Sequence, residues 1–215
     1  MTRTESAPAN PRVDDLVALG RSYSNSYAVP ALLALLAEGQ PASRERIAAT
    51  IGCPIGDVDA LFAGLPEAQW DDDGRLVGLG LTLVPTPHRF LIAGRTLYTW
   101  CASDTLIFTI MLGRAVRVES ICPVTGREIC LNVDPGRVVA VTPATAVVSA
   151  DLPSFAVADI RATRCVHGRF FATSEAAQGW RAEHPDGTVL PVADEFAICQ
   201  QMVSALGWAG GGGAR

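Results

Sequence analysis

The sequence predicts an α+β fold, with an N-terminal winged-helix-like segment of three helices followed by a mixed, mainly antiparallel β core with flanking helices. Three observations carry this. Between residues 30 and 65, apolar residues recur at helical spacing between proline, serine and glycine punctuation. Between residues 115 and 149, short runs alternate apolar and polar residues, the period of half-buried strands. The chain has 215 residues, 49% of them hydrophobic and 18% charged, which is enough apolar material for a core.

Residues 1–12 are polar and rich in proline and alanine, and are expected to be disordered. Pro30 opens a short buried helix over 30–38. Ser43 caps a second helix that ends at Gly52, and Cys53 to Gly56 form a turn. A third helix presents Ile55, Val58, Phe62 and Leu65 on one face. Asp71 to Gly74 signal a turn, and an alternating strand follows with Val77, Leu79, Leu81 and Leu83 pointing one way. Three helices and a ribbon make a domain over residues 13–84. DNA binding is the obvious use of that pattern, but the electrostatics oppose it. From Pro41 to Ala63, Arg44 and Arg46 face Glu45, Asp57 and Asp59, and the third helix offers no Arg, Asn or Gln to read bases.

Residues 85–206 form the α+β remainder. A strand ends near Trp100, and an apolar helix runs on to Leu112. The run 115–122 alternates with Val116, Val118 and Cys122 on one face. After a turn at 123–126, the run 127–133 returns with Ile129, Leu131 and Val133 inward and Cys130 outward. Further strands fit 137–141, 144–149, 157–162 and 163–172, and helices fit 175–183 and 194–206. Residues 207–215 read as a flexible glycine-rich tail.

Composition removes several function classes. All 17 basic residues are arginine, so no lysine Schiff base, lysine general base or lysine phosphate loop is available. The net charge of -5 argues against nucleic acid as a main partner. No apolar run approaches the ~20 residues of a membrane helix, and residues 1–15 carry no signal-peptide core, so the expected location is the cytoplasm, with no membrane partner. The six cysteines (53, 101, 122, 130, 165 and 199) contain no CxxC pair, and are expected to be reduced thiols rather than a disulfide framework.

The chemistry concentrates in residues 97–108, LeuTyrThrTrpCysAlaSerAspThrLeuIlePhe. Cys101 and Asp104 stand i, i+3 at a helix start, on one face and about one turn apart. The helix N-terminus favours thiolate at Cys101, while the apolar surroundings raise the Asp104 pKa so that it can hold a proton. On spacing alone, the pair reads more readily as a buried thiol beside a helix-start carboxylate. Cys165, read as lying on a strand with His167 and Arg169 on the same face, is a candidate ligand. His167 lacks an evident orienting partner for a thiol-protease pair and reads as a surface or hydrogen-bonding residue. Cys199 and Cys122 read as core, and Cys53 and Cys130 suggest no chemistry.

The segment 96–108 resembles the signature of the organomercurial (alkylmercury) lyases. So do residues 30–44, 73–83, the 122–126 turn and 165–171, in order and spacing, across roughly residues 29–200. Where some members carry a second cysteine after the later catalytic one, this chain has Val166. The resemblance implies cleavage of the carbon–mercury bond of alkyl- and arylmercury compounds by protonolysis, giving a hydrocarbon and Hg(II) held by two thiolates. It implies Cys101, Asp104 and Cys165 as catalytic residues and as mercury ligands. No cofactor is expected beyond the product Hg(II) and external thiols for turnover, with handover of the metal to small thiols or a mercuric reductase. Two other readings compete on the same residues: a winged-helix metal- or redox-sensing regulator, and a thiol protein that sequesters soft metals without cleaving them.

Overall fold

The computed structural model describes residues 10–151 and 160–209. The chain opens with four helices: α1 (Pro11–Ser22), α2 (Val29–Leu36), α3 (Arg44–Ile51) and α4 (Val58–Ala63). Ser43 caps α3 by accepting from Arg46 N, and Gly52 closes it in the left-handed region at φ +79°. Asn10 caps α1, so Pro11 and Arg12, expected to be disordered, are helical; residues 1–9 of that expected start lie outside the described residues.

Strands β1 (Gln69–Trp70), β2 (Leu76–Leu79), β3 (Leu81–Thr82), β4 (His88–Ile92) and β5 (Arg95–Thr99) lead into helix α5 (Ala102–Leu112). The single strand expected from Val77 to Leu83 is instead a tight hairpin: Gly80 turns at φ +76°, and Leu79 pairs with Leu81. Gly80 also passes so close to Phe108 that a Cβ there would sit 2.5 Å from its Cζ, a contact no alternation rule registers. Then come β6 (Val116–Ile121), β7 (Glu128–Asp134), β8 (Arg137–Thr142) and β9 (Val147–Ala150). In β6 and β7 the burial alternates as the sequence requires, with Val116, Val118, Ile129, Leu131 and Val133 inside.

After β9 the expected strand over 157–162 does not form where the chain is described. Residues 152–159 lie outside the described residues, and Ile160–Thr163 is the short helix α6. The chain ends with β10 (Phe170–Phe171), α7 (Gln178–Glu183), β11 (Thr188–Pro191) and α8 (Val192–Ala205). Within the expected tail, Trp208 packs against the core. No helix among the described residues is long and apolar enough to cross a membrane.

Eight strands form one antiparallel sheet in the order β1-β2-β3-β5-β4-β6-β7-β8, and β10-β9-β11 form a second. The sheet runs straight through the 84/85 boundary, since β3 pairs with β5, and one apolar cluster extends from Val13 to Val203. Helix α5 lies against β4, β5 and β7 and packs on α8 and α2. Buried Glu195 of α8 accepts from Arg12 of α1 (2.8 Å) and Ser103 of α5 (2.6 Å), so one carboxylate joins three helices.

Candidate active site

The first turn of α5 sets the site. β5 ends at Thr99, whose hydroxyl donates to the Cys101 carbonyl (2.8 Å), and Cys101 is the N-cap of α5 in extended conformation. Three residues on, the Asp104 carboxylate folds back and accepts from the Cys101 backbone N–H (3.2 Å). The capping geometry thus holds thiol and carboxyl side by side. Trp100 is fixed by donating its indole N–H to Gln69 (2.9 Å), and the Arg161 guanidinium lies over its ring, 5.3 Å from the centroid.

Cys165 reaches the site from a different kind of element than expected. It does not lie on a strand: Cys165–His167 is one turn of 3₁₀ helix, and Gly168 N–H closes it on the Cys165 carbonyl (3.2 Å). Side chains pull the backbone out of a strand, for the His167 carbonyl accepts from Ser149 Oγ (2.9 Å) and Trp180 Nε1 (3.0 Å). The Gly168 carbonyl in turn accepts from Ala102 N–H (3.0 Å), tying this turn to the start of α5. The sulfurs of Cys101 and Cys165 and a carboxylate oxygen of Asp104 all lie within 4.8 Å of one another. Both thiols are buried, at 7% and 6% exposure, with Trp100 and Ile160 around them.

This environment decides protonation. The Cys101 thiol is held well above its ordinary pKa, first by its hydrogen bond to Cys165, then by burial and by the Asp104 charge; Arg164 pulls weakly the other way. The pull of the helix N-terminus towards thiolate is thus opposed by the hydrogen bond to Cys165, by burial and by the Asp104 charge. Asp104 is pushed up to about 6, chiefly by burial, against the lowering effects of its hydrogen bond to Cys101 and of Arg164.

Beside these groups lies a mostly apolar cavity of about 120 Å³, lined among others by Leu16, Tyr23, Leu79, Ile107, Phe108 and Asp104. Tyr23 and Arg164, both on its wall, were not legible as site residues. Tyr23 stands just past α1, and burial lifts its hydroxyl to about 12. Cys199 and Cys122 are core residues, while Cys53 and Cys130 are half-buried and remote from the cluster.

Two thiols and a carboxyl converging on one point beside an apolar chamber are the donor set of a soft-metal-binding protein class. The alkylmercury lyase (MerB) family model matches residues 81–204. The chain is 46% identical to the alkylmercury lyase of Staphylococcus epidermidis over 85% of this chain and 84% of that protein. It is 45% identical to that of Streptomyces lividans over 87% and 86%, and 46% identical to that of Bacillus cereus over 80% and 78%. Among solved structures, the mercury-bound form of MerB2 superposes with a TM-score of 0.76 at 24% identity, covering 92% of this chain and all of that one, a likeness of fold. The chain belongs to the alkylmercury lyase family. It is an organomercurial lyase, an enzyme that cleaves the carbon–mercury bond.

Proposed function

We propose that Cys101, Cys165 and Asp104 carry out the cleavage as two sulfur ligands and one proton carrier. The observation that supports this is the convergence of their ligand atoms within 4.8 Å beside an apolar cavity that Asp104 and Cys165 help to line. The substrate is R–Hg–X. One thiol sulfur displaces X and its proton leaves with X, so that mercury is anchored as R–Hg–S. Soft Hg(II) prefers sulfur to oxygen or nitrogen, and metal binding supplies the driving force that removes a proton from a thiol buried in its neutral form.

The second thiol then binds mercury, and its proton passes to Asp104. A carboxyl at about 6 suits both halves of that task, being ionised enough near neutrality to accept a proton and acidic enough to give it up. Two sulfurs on mercury push electron density towards carbon. As the Hg–C bond breaks, its electron pair takes the proton from Asp104, so R–H leaves and Hg(II) remains on two thiolates. Atoms balance as R–Hg–X plus two thiols giving R–H, HX and the bis-thiolate.

The cavity takes the hydrocarbon group. A chamber of about 120 Å³ accommodates small alkyl groups readily and a single aromatic ring tightly, given that a ~150 Å³ apolar cavity binds benzene. The Hg(II) product leaves by exchange with external small thiols or with the thiols of a mercuric reductase. Four buried free thiols, Cys101, Cys122, Cys165 and Cys199, fit a reducing compartment, the cytoplasm. The N-terminal segment covers the chamber, as Leu16 and Tyr23 on its wall suggest.

Headspace gas chromatography above the enzyme, excess free thiol and methylmercury tests the assignment. Cys101→Ser, Cys165→Ser and Asp104→Ala each abolish methane release while circular dichroism stays native. Full turnover by any one of them removes that residue from the mechanism. Without external thiol, release stops near one equivalent.

A further inference from the structure

Behind the turn that carries Cys165, a second group of metal-ligating side chains meets. Asp151 follows β9, His167 ends the 3₁₀ turn and His184 caps α7; one ligand atom from each lies within 4.8 Å of the others. Three separate elements thus deliver two imidazoles and one carboxylate to one place. Asp151 Oδ2 and His184 Nδ1 stand 2.8 Å apart. The His167 and His184 rings lie 4.5 Å apart between centroids, tilted at 55°, and the His167 ring has no hydrogen bond among the described residues. Trp180 stacks on His184 (4.5 Å, 17°) and donates to the His167 backbone carbonyl (3.0 Å), so one indole touches both the His184 ring and the turn that carries His167. All three side chains are half-buried and so partly accessible to solvent.

We propose that Asp151, His167 and His184 form a binding site for a borderline divalent transition cation, Zn²⁺ or a close analogue. Two neutral nitrogens and one carboxylate are the donor set such ions take, with a solvent molecule in the fourth position. Metal–ligand bonds near 2.0–2.1 Å put tetrahedral ligand atoms about 3.3 Å apart, so small side-chain rotations close the group around an ion. The site is distinct in chemistry from the dithiol: it offers no sulfur, and mercury keeps to Cys101 and Cys165. The bound cation clamps β9 and α7 to the turn that presents Cys165, and stiffens the sulfur's approach to α5.

The full-length protein carrying one equivalent of Hg(II), so that the dithiol is filled, is titrated with Zn²⁺ by calorimetry. The expected result is uptake of one further equivalent. His184→Ala and Asp151→Asn each weaken that uptake by at least ~10-fold while the Hg(II) stoichiometry is unchanged. Should His184→Ala fail to fold, His167→Ala gives the same reading, since that ring holds no hydrogen bond among the described residues. With Co²⁺ as the probe, the Hg(II)-loaded protein shows d–d absorption without sulfur-to-metal charge transfer. Absence of Zn²⁺ uptake by the parent protein, uptake unaltered in the variants, or a sulfur charge-transfer band overturns the site. Because mercury is already bound throughout, such a failure leaves the lyase assignment untouched.

Discussion

Gly168 shows how closely single residues govern this site. A Cβ on it would stand 2.8 Å from Cys101 Cβ, and its φ of -77° suits any residue. Gly168→Ala is therefore expected to act through contact rather than backbone strain, pushing the Cys165 turn away from α5. Misplacements of about 1 Å cost on the order of 10²-fold in rate, so kcat for methane release should fall on that scale while far-ultraviolet dichroism stays native. His88 supplies the pH prediction. It is buried beside Ser120, and burial, with Arg169 nearby, lowers its pKa from 6.5 to about 3. The unfolded chain protonates this residue below about 6.5 while the folded chain keeps it neutral. Its contribution to stability is complete above that pH and is lost as pH falls towards about 3, amounting to roughly 4–5 kcal/mol at the acid end. His88→Gln should flatten that part of a urea-denaturation stability profile between pH 6.5 and 3; an unchanged acid slope would sink the assignment.

Elements succeed here where their ends carry chemical punctuation. Ser43 and Gly52 bracket α3 as expected, and Gly113 ends α5 at φ +62°. The β4–β5 hairpin turns on Ala93 and Gly94, both at positive φ, in the two-residue form that matches strand twist. The run from Val77 to Leu83 misled because period-two alternation is blind to a glycine that reverses the chain. Gly80→Ala adds strain at φ +76° and a 2.5 Å clash with Phe108, and should lower stability by about 1–3 kcal/mol in chemical denaturation. Cys165 was misplaced on a strand because the groups that bend its segment, Ser149 and Trp180, are distant in sequence. The Cys101–Asp104 pair was legible because helical spacing alone puts those side chains together.

On the scale of the whole molecule, the winged-helix-like segment and the β core share one sheet and one apolar cluster. A single thermal transition is expected, and removal of residues 1–70 should leave no native dichroism, because it strips Leu32, Leu33, Leu36 and Ile47 from that cluster. The Arg12–Glu195–Ser103 junction ties both ends of the chain to helix α5. Glu195→Ala strands a buried arginine and should cost about 3–5 kcal/mol in denaturant titration. Leu16→Ala enlarges the chamber, and should raise kcat/KM for phenylmercury relative to methylmercury by several-fold, read as benzene against methane released.

Sequence by itself determined the α+β class, the ends of several helices, the inward faces of β6 and β7 and the thiol–carboxyl pair at the start of α5. Each of these rests on a local period or on a cap within a few residues. The resemblance implied that Cys165 joins that pair, but tertiary structure alone decided that it does so from a 3₁₀ turn, that burial pushes the Cys101 thiol up and that Tyr23 and Arg164 wall the chamber. Those outcomes depend on burial and on contacts between residues tens of positions apart, and no local pattern encodes either.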